Sequence, residues 1–340
     1  MSESTQKKKL SVTYWISSGI SVIFLYLFLR KVDFNALINA LKGANYIYLI
    51  PAIAINLSMY FIRAKRWQYL LEPIHNATIK NLFSSTVIGF AVNHLLPARI
   101  GEFVRAYALG EKEGISKSSA FATIVIERIF DGTLVILFLI VVLLFPPFSS
   151  DVTISKLKGA WVILLLIFGG GVLFLFLLKH YTLTASKIVK FILKPLPNRF
   201  SAKILLLIDS FVVGLDVLGK GRHLFIVFIY SIVLWLLGTL GIHILYPAFY
   251  IDGPSFIGSI FVLILIAIVV MIPSAPSYIG TFHFACASGL ILLGVDSIIA
   301  KSFTLILWAI NIIPSTLLGL FYIWRGRLSF KELKTYASHG

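Results

Sequence analysis

The chain has 340 residues, 59% of them hydrophobic and 13% charged, with a mean hydropathy of +0.94. A soluble globular chain carries roughly a quarter charged residues and a disordered one is poor in aromatics, whereas 28 Phe and 14 Tyr are present here, so both classes are excluded. The net charge of +16, from 30 Lys and Arg against 14 Asp and Glu, is read as marking cytoplasmic loops and not a nucleic-acid partner.

In chain order, Lys7, Lys8 and Lys9 precede an uncharged run over 12–29, too long and too aromatic at its end for a signal peptide, which predicts a first spanning helix. Further uncharged runs at 46–62, 132–150, 159–178, 224–250, 255–272 and 302–324 are each close to the roughly 20 residues that a helix needs to cross the hydrocarbon core. Two stretches differ. Residues 81–98 are rich in Ser, Thr, Asn and His, and 273–295 opens with Pro, Ser and Gly, so both read as broken or re-entrant segments.

Cation counts set the orientation. With both termini cytoplasmic, the inner segments at 7–9, 63–80, 99–117, 179–222 and 325–334 hold 23 Lys and Arg, and the outer ones hold six. An even number of crossings is then required. Residues 280–295 supply the eighth, while 81–98 enters from the cytoplasm and turns back at Pro97. The expected fold class is all-α: a polytopic helical membrane protein of about eight spanning helices, one of them broken, plus a re-entrant segment. One transmembrane domain covers 12–324, between cytoplasmic tails at 1–11 and 325–340. The breaks fall one in each half, which admits two related halves. Within 182–218, Lys187, Lys190 and Lys194 share a helical face, either as an inner-leaflet surface helix or as a solvated connector. Arg63, Arg66 and Trp67 read as interfacial anchors at a helix end. Cys286, the one cysteine, reads as a small core residue and excludes an intramolecular disulfide.

A charge at mid-bilayer costs about 2.5 to 3.5 kcal/mol even on a lenient scale, so polar clusters in apolar segments call for a role. The first is Asn93, His94, Pro97, Arg99, Gly101, Glu102 and Arg105. A helix starting near Pro97 offers unpaired amides and a positive dipole end, with Arg99, Glu102 and Arg105 following at spacings of three, an arrangement suited to a phosphate. The second is Glu127, Arg128 and Asp131, expected to pair with Arg99 or Arg105, or to line a polar cavity. The third is Pro273, Ser274, Pro276, Ser277, Tyr278, Gly280, Thr281 and His283, where two prolines and a glycine free backbone groups that lipid cannot satisfy.

The run Asn93-His94-Leu95-Leu96-Pro97-Ala98-Arg99-Ile100-Gly101-Glu102, followed by Arg105 and then by Glu127-Arg128 with Asp131, resembles the signature of the lysylphosphatidylglycerol synthase transmembrane region family, also called flippase-like domain proteins. The stretch 63–67 and the late Pro-Ser-Gly segment match its other landmarks, and the resemblance spans about residues 10–325. It implies a polytopic protein of a bacterial or archaeal plasma membrane that moves, or helps to move, a lipid between leaflets. Larger relatives carry a fused cytosolic synthase domain, and the short tail after the last span is not expected to supply one. Where the resemblance leads one to expect an acidic residue after the Pro-Ser-Gly segment, this chain has His283, which argues against a cationic aminoacyl-lipid.

The expected function is a flippase-like translocator of an anionic or phosphate-linked lipid. The proposed site is lined by Asn93, Pro97, Arg99, Gly101, Glu102, Arg105, Glu127, Arg128, Asp131, Pro276, Gly280 and His283, with no catalytic residue and no metal. The alternative is a membrane glycosyltransferase or accessory protein acting on polyprenyl-phosphate sugars. No phosphate-binding loop of the Gly-x-x-x-x-Gly-Lys-Ser/Thr type occurs, and no cofactor is expected. The expected partner is a membrane lipid, with a homo-oligomer left open.

Overall fold

The computed structural model describes residues 18–30, 32–96, 99–147, 151–180, 206–207, 209–272 and 274–326. Every regular element among them is helical, as expected where the backbone must satisfy its own hydrogen bonds. Expectations at 1–11, at Pro97, at Lys187, Lys190 and Lys194, at Pro273, and over 327–340 lie outside the described residues.

The helices are α1 Ser18–Leu29, α2 Phe34–Gly43, α3 Leu49–Leu71, α4 Ile79–Leu95, α5 Gly101–Glu113, α6 Lys117–Leu144, α7 Asp151–His180, α8 Gly221–His243, α9 Phe256–Val270, α10 Thr281–Leu292 and α11 Ser297–Arg325. Four stretches are long and apolar enough to cross a membrane: Tyr46–Leu71, Leu157–Phe174, Gly221–Phe249 and Ser297–Arg325. Helices also fall on the other expected spans. Of these, α1 and α9 are shorter apolar helices, α10 has 12 residues and α6 has 28.

Two elements differ from expectation. The run predicted to begin at 132 is the second half of α6, which starts at Lys117 with the Ser116 hydroxyl capping the Ser119 amide. Its polar first half packs on α3, α5 and the 215–219 turn instead of meeting lipid, so Glu127, Arg128 and Asp131 sit in mid-helix. The second difference is α5, which begins at Gly101. It runs antiparallel to α4, because Asn93 meets Gly101, Ser84 meets Lys112 and Asn81 meets Glu113. At about 1.5 Å per residue, these two helices are about 25 and 20 Å long.

Glycine makes that hairpin close. A Cβ on Gly101 would collide with the Gly89 carbonyl and the Asn93 amide, so the two backbones touch where any other side chain would separate them. At its open end, Glu113 ties the loop down. Its carboxylate accepts from the Thr78 amide (2.9 Å), the Thr78 hydroxyl (2.9 Å) and Asn81 Nδ2 (2.8 Å). A second close approach joins α1 to the late break: Gly280, at φ +87°, lies on the Ser21 carbonyl, and Ser21 Oγ accepts the Ala275 amide at 2.7 Å. The largest apolar core gathers α3, α8, α9, α10 and α11 around Phe282, Phe303 and Cys286, the last fully buried.

Candidate functional site

The site is assembled from α3, α4, α5, α6 and the two breaks. In mid-α6 the Glu127 carboxylate is wholly buried and holds three guanidinium groups: Arg66 at 2.9 Å, Arg105 at 3.0 Å and Arg128 at 2.6 Å. Asp131, one turn on, takes Arg66 at 2.6 Å and Arg128 at 3.2 Å, and Glu102 lies 3.8 Å from Arg128. Arg66 also donates to the Ser231 hydroxyl of α8 at 2.8 Å. Three arginines thus face three carboxylates. A neutral set can be buried where a lone charge cannot, because each ion's desolvation is offset by its partners.

Arg66 and Trp67 correct the reading of that stretch as an interfacial anchor. Both are fully buried, Trp67 Nε1 donates to Thr123 Oγ1 at 2.9 Å, and Arg105 lies over the indole with its Cζ 3.9 Å from the ring centroid. Seen along the chain, an arginine and a tryptophan at the end of a span look the same at an interface and in a core. The available signal is one face of α3, where Asn56, Tyr60, Arg63 and Trp67 recur at spacings of four, three and four.

The two breaks meet. Ser277 Oγ donates to the His94 carbonyl at 2.8 Å, the His94 and Tyr278 rings lie edge to face, and the Arg99 guanidinium sits over the Tyr278 ring at 5.4 Å. Arg99, Ser277 and Tyr278 all adopt left-handed backbone angles, with φ of 53°, 59° and 56°, a conformation that costs a non-glycine residue of order 1 kcal/mol or more. Strain on both sides of one contact shows that the surrounding fold holds these turns in place.

Beside this contact lies a cavity of about 470 Å³ bounded by α3, α4, α6, α7, α8 and α9. Its polar wall is Arg63, Arg99, Arg128 and Asp131, and its apolar wall includes Phe168, Trp235 and Leu263. Arg128 and Asp131 are paired with each other. Arg63 and Arg99 have no carboxylate within 4 Å among the described residues. Arg63 rests over Phe90 at 5.1 Å, and Arg99 donates to the Val270 carbonyl at 2.6 Å.

The other expected site residues are distributed as follows. Asn93 Oδ1 accepts the Gly101 amide at 2.7 Å, so the first amide of α5 is taken up inside the hairpin and is not offered to an anion. Arg105 and Glu127 form the buried lock, and Glu102 faces Arg128. Pro276 opens the turn that carries Ser277, and Gly280 makes the contact with α1. His283 is not brought to the cavity: it is wedged among Phe28, Phe282 and Trp308, with ring centroids 5.2 to 6.2 Å away. Sequence reasoning missed Arg63 as a cavity residue.

Comparison with known proteins places this arrangement. A UPF0104 membrane protein of Methanocaldococcus jannaschii is 24% identical over 310 residues, 88% of this chain and 91% of that protein. A UPF0104 membrane protein of Methanothermobacter thermautotrophicus is 29% identical over 115 residues, 33% of this chain and 34% of its own length. The glycosyltransferase AglD of Haloferax volcanii is 27% identical over 113 residues, covering 33% of this chain and 18% of AglD. The family described as lysylphosphatidylglycerol synthase TM region matches residues 14–319, a range that holds every element of the buried lock, both breaks and the cavity. The chain therefore belongs to the lysylphosphatidylglycerol synthase transmembrane region family of integral membrane proteins.

Proposed function

We propose that this protein is a flippase-like lipid translocator that draws an anionic or phosphate-linked headgroup into the cavity at Arg63 and Arg99 while the acyl chains stay in the bilayer. The observation that carries this reading is the pair of guanidinium groups without a carboxylate partner among the described residues, set in a cavity that is otherwise mostly apolar. A guanidinium offers phosphate a planar, two-pronged hydrogen-bonding face, and low surrounding polarity strengthens the attraction. The apolar wall of Phe168, Trp235 and Leu263 suits the glycerol backbone and the first methylenes of a lipid.

The same proposal includes the topology: eight spans within a single domain over 12–324, cytoplasmic termini in a plasma membrane, and the α4–α5 hairpin as a re-entrant element of one of two related halves. With Arg63, Arg66, Arg99 and Arg105 set aside as buried or cavity residues, the inner segments still hold 19 Lys and Arg against six outside, which supports the orientation. The length of α4 and α5, each short of the roughly 30 Å hydrocarbon core, supports re-entry. Without a phosphate-binding loop in the sequence, movement is downhill or proton-coupled.

The test is translocation of fluorescent lipids in liposomes containing the purified protein. Faster bleaching of inner-leaflet anionic lipid than in protein-free vesicles is expected, and equal rates for every anionic and polyprenyl-phosphate lipid tried would sink the reading. The partial likeness to a glycosyltransferase favours a second reading, sugar transfer on a polyprenyl phosphate. Against it, Glu127 and Asp131 are each ion-paired with two or more arginines, so both carboxylates are already engaged by the fold. Incubation with nucleotide sugar and polyprenyl phosphate separates the two, since this reading requires a new glycolipid.

A further inference from the structure

The large cavity continues. Two smaller ones, of about 180 and 170 Å³, adjoin it, and all three share Met59 and Arg63 of α3 and Ile266 of α9. The smallest reaches Ala52, so a single face of α3, through Ala52, Asn56, Met59 and Arg63, borders the series over about three turns.

Asn56 sits at its middle, 8% exposed, and lines both smaller cavities. Its hydrogen bonds are directional. Asn311 Nδ2 donates to the Leu307 carbonyl at 2.8 Å, which turns Asn311 Oδ1 toward Asn56, and Asn56 Nδ2 donates to that oxygen at 3.1 Å. The chain of donation fixes both amide orientations and leaves Asn56 Oδ1 as a buried acceptor without a donor. A buried amide oxygen without a partner costs free energy, so a group that donates to it is favoured there.

Charge narrows the donor's class. Neither smaller cavity is lined by a carboxylate, and Arg63 lines both, so an ammonium would find no protein carboxylate there to offset its desolvation. A neutral hydroxyl meets no such penalty. Arg63 lies seven residues, about two turns, from Asn56 on the same helix, a separation that an arginine side chain and a glycerol- or sugar-sized group can bridge. We infer that Asn56 Oδ1 accepts a hydroxyl of the lipid headgroup whose phosphate is held at Arg63 and Arg99, so that the protein selects phospholipids bearing an uncharged, hydroxylated substituent over bare-phosphate and amine headgroups. This inference rests on the translocator reading and deepens it.

The test uses full-length protein in phosphatidylcholine nanodiscs titrated with phosphatidylglycerol, phosphatidic acid or phosphatidylethanolamine, with the shift in melting midpoint as the binding signal. One hydrogen bond to a buried acceptor corresponds to a preference of up to about tenfold, so phosphatidylglycerol should bind up to about tenfold more tightly than the other two. Asn56→Leu should reduce it to parity with phosphatidic acid and leave phosphatidic acid itself unchanged. If Asn56→Leu fails to fold, Asn56→Ser, which shortens the acceptor but keeps it polar, reads the same ratio. An unchanged ratio in the folded variant, or phosphatidylethanolamine binding as tightly as phosphatidylglycerol, overturns the inference. Arg63→Gln should weaken both anionic lipids together. If it weakens neither, the phosphate site is wrong, a failure distinct from loss of the Asn56 effect alone.

Discussion

Five arginines crowd around one cavity wall, and they divide into two sets of opposite character. Arg66, Arg105 and Arg128 are locked to Glu127, Asp131 and Glu102 at 2.6 to 3.8 Å, and two of the three are fully buried. Arg63 and Arg99 stand against aromatic rings and line the open cavity without an acidic partner among the described residues. The residue type is the same, and what differs is the partner. A paired arginine in low polarity holds helices together, whereas one without a carboxylate is open to a charge that arrives from outside.

Removing an acid from the locked set should give the largest effect. Glu127→Gln leaves Arg66 and Arg105 buried without their shared counter-charge, and a destabilisation of about 3 to 5 kcal/mol is expected, read as loss of folded protein on detergent size exclusion and a lower melting temperature. If Glu127→Gln melts like the parent, the lock is not structural. Next comes the hairpin that presents Arg99 and Arg105: Gly101→Ala drives a methyl into the Gly89 carbonyl and should cost about 1 to 3 kcal/mol by overpacking, measured in the same way.

A smaller effect belongs to the polar end of the hairpin, outside the membrane-spanning segments. Burial alone would raise the Glu113 carboxyl, but donors from Asn81, from Thr78 and from His75 outweigh it and hold it below the usual range. A carboxyl with a depressed folded-state pKa contributes stability above its unfolded value of about 4.3, and that contribution is lost as pH falls through the lower folded value. Glu113→Gln should therefore cost about 1 to 2 kcal/mol at pH 7 and remove part of the acid-side decline in melting temperature. The smallest effect on stability, within about 1 kcal/mol, is expected for Arg63→Gln and Arg99→Gln, because neither breaks an ion pair.

Much of this arrangement was legible in the chain. The apolar runs announce helices, and the spacing of Glu127, Arg128 and Asp131 puts three ionisable groups on one face before any fold is known. Arg66 escaped because its role depends on Asp131, 65 residues away, and no local pattern reports a pairing of that range. His283 misled for the opposite reason. It stands beside the break, where a cavity group is expected, but Phe28 and Trp308 arrive from distant helices and enclose it. The start of α6 was missed because its polar first half is covered by protein, and hydropathy alone cannot separate burial in protein from exposure to water.

The most direct measurement of the central claim is made on one sample of the Arg63→Gln, Arg99→Gln double variant: its melting temperature and its rate of anionic-lipid translocation in liposomes, each beside the parent. A melting temperature within a few degrees of the parent with translocation lowered at least about tenfold, as expected when a charge-assisted contact is lost, is the predicted result. Translocation at the parental rate in a folded double variant would contradict the account, since the two unpaired arginines would then be idle.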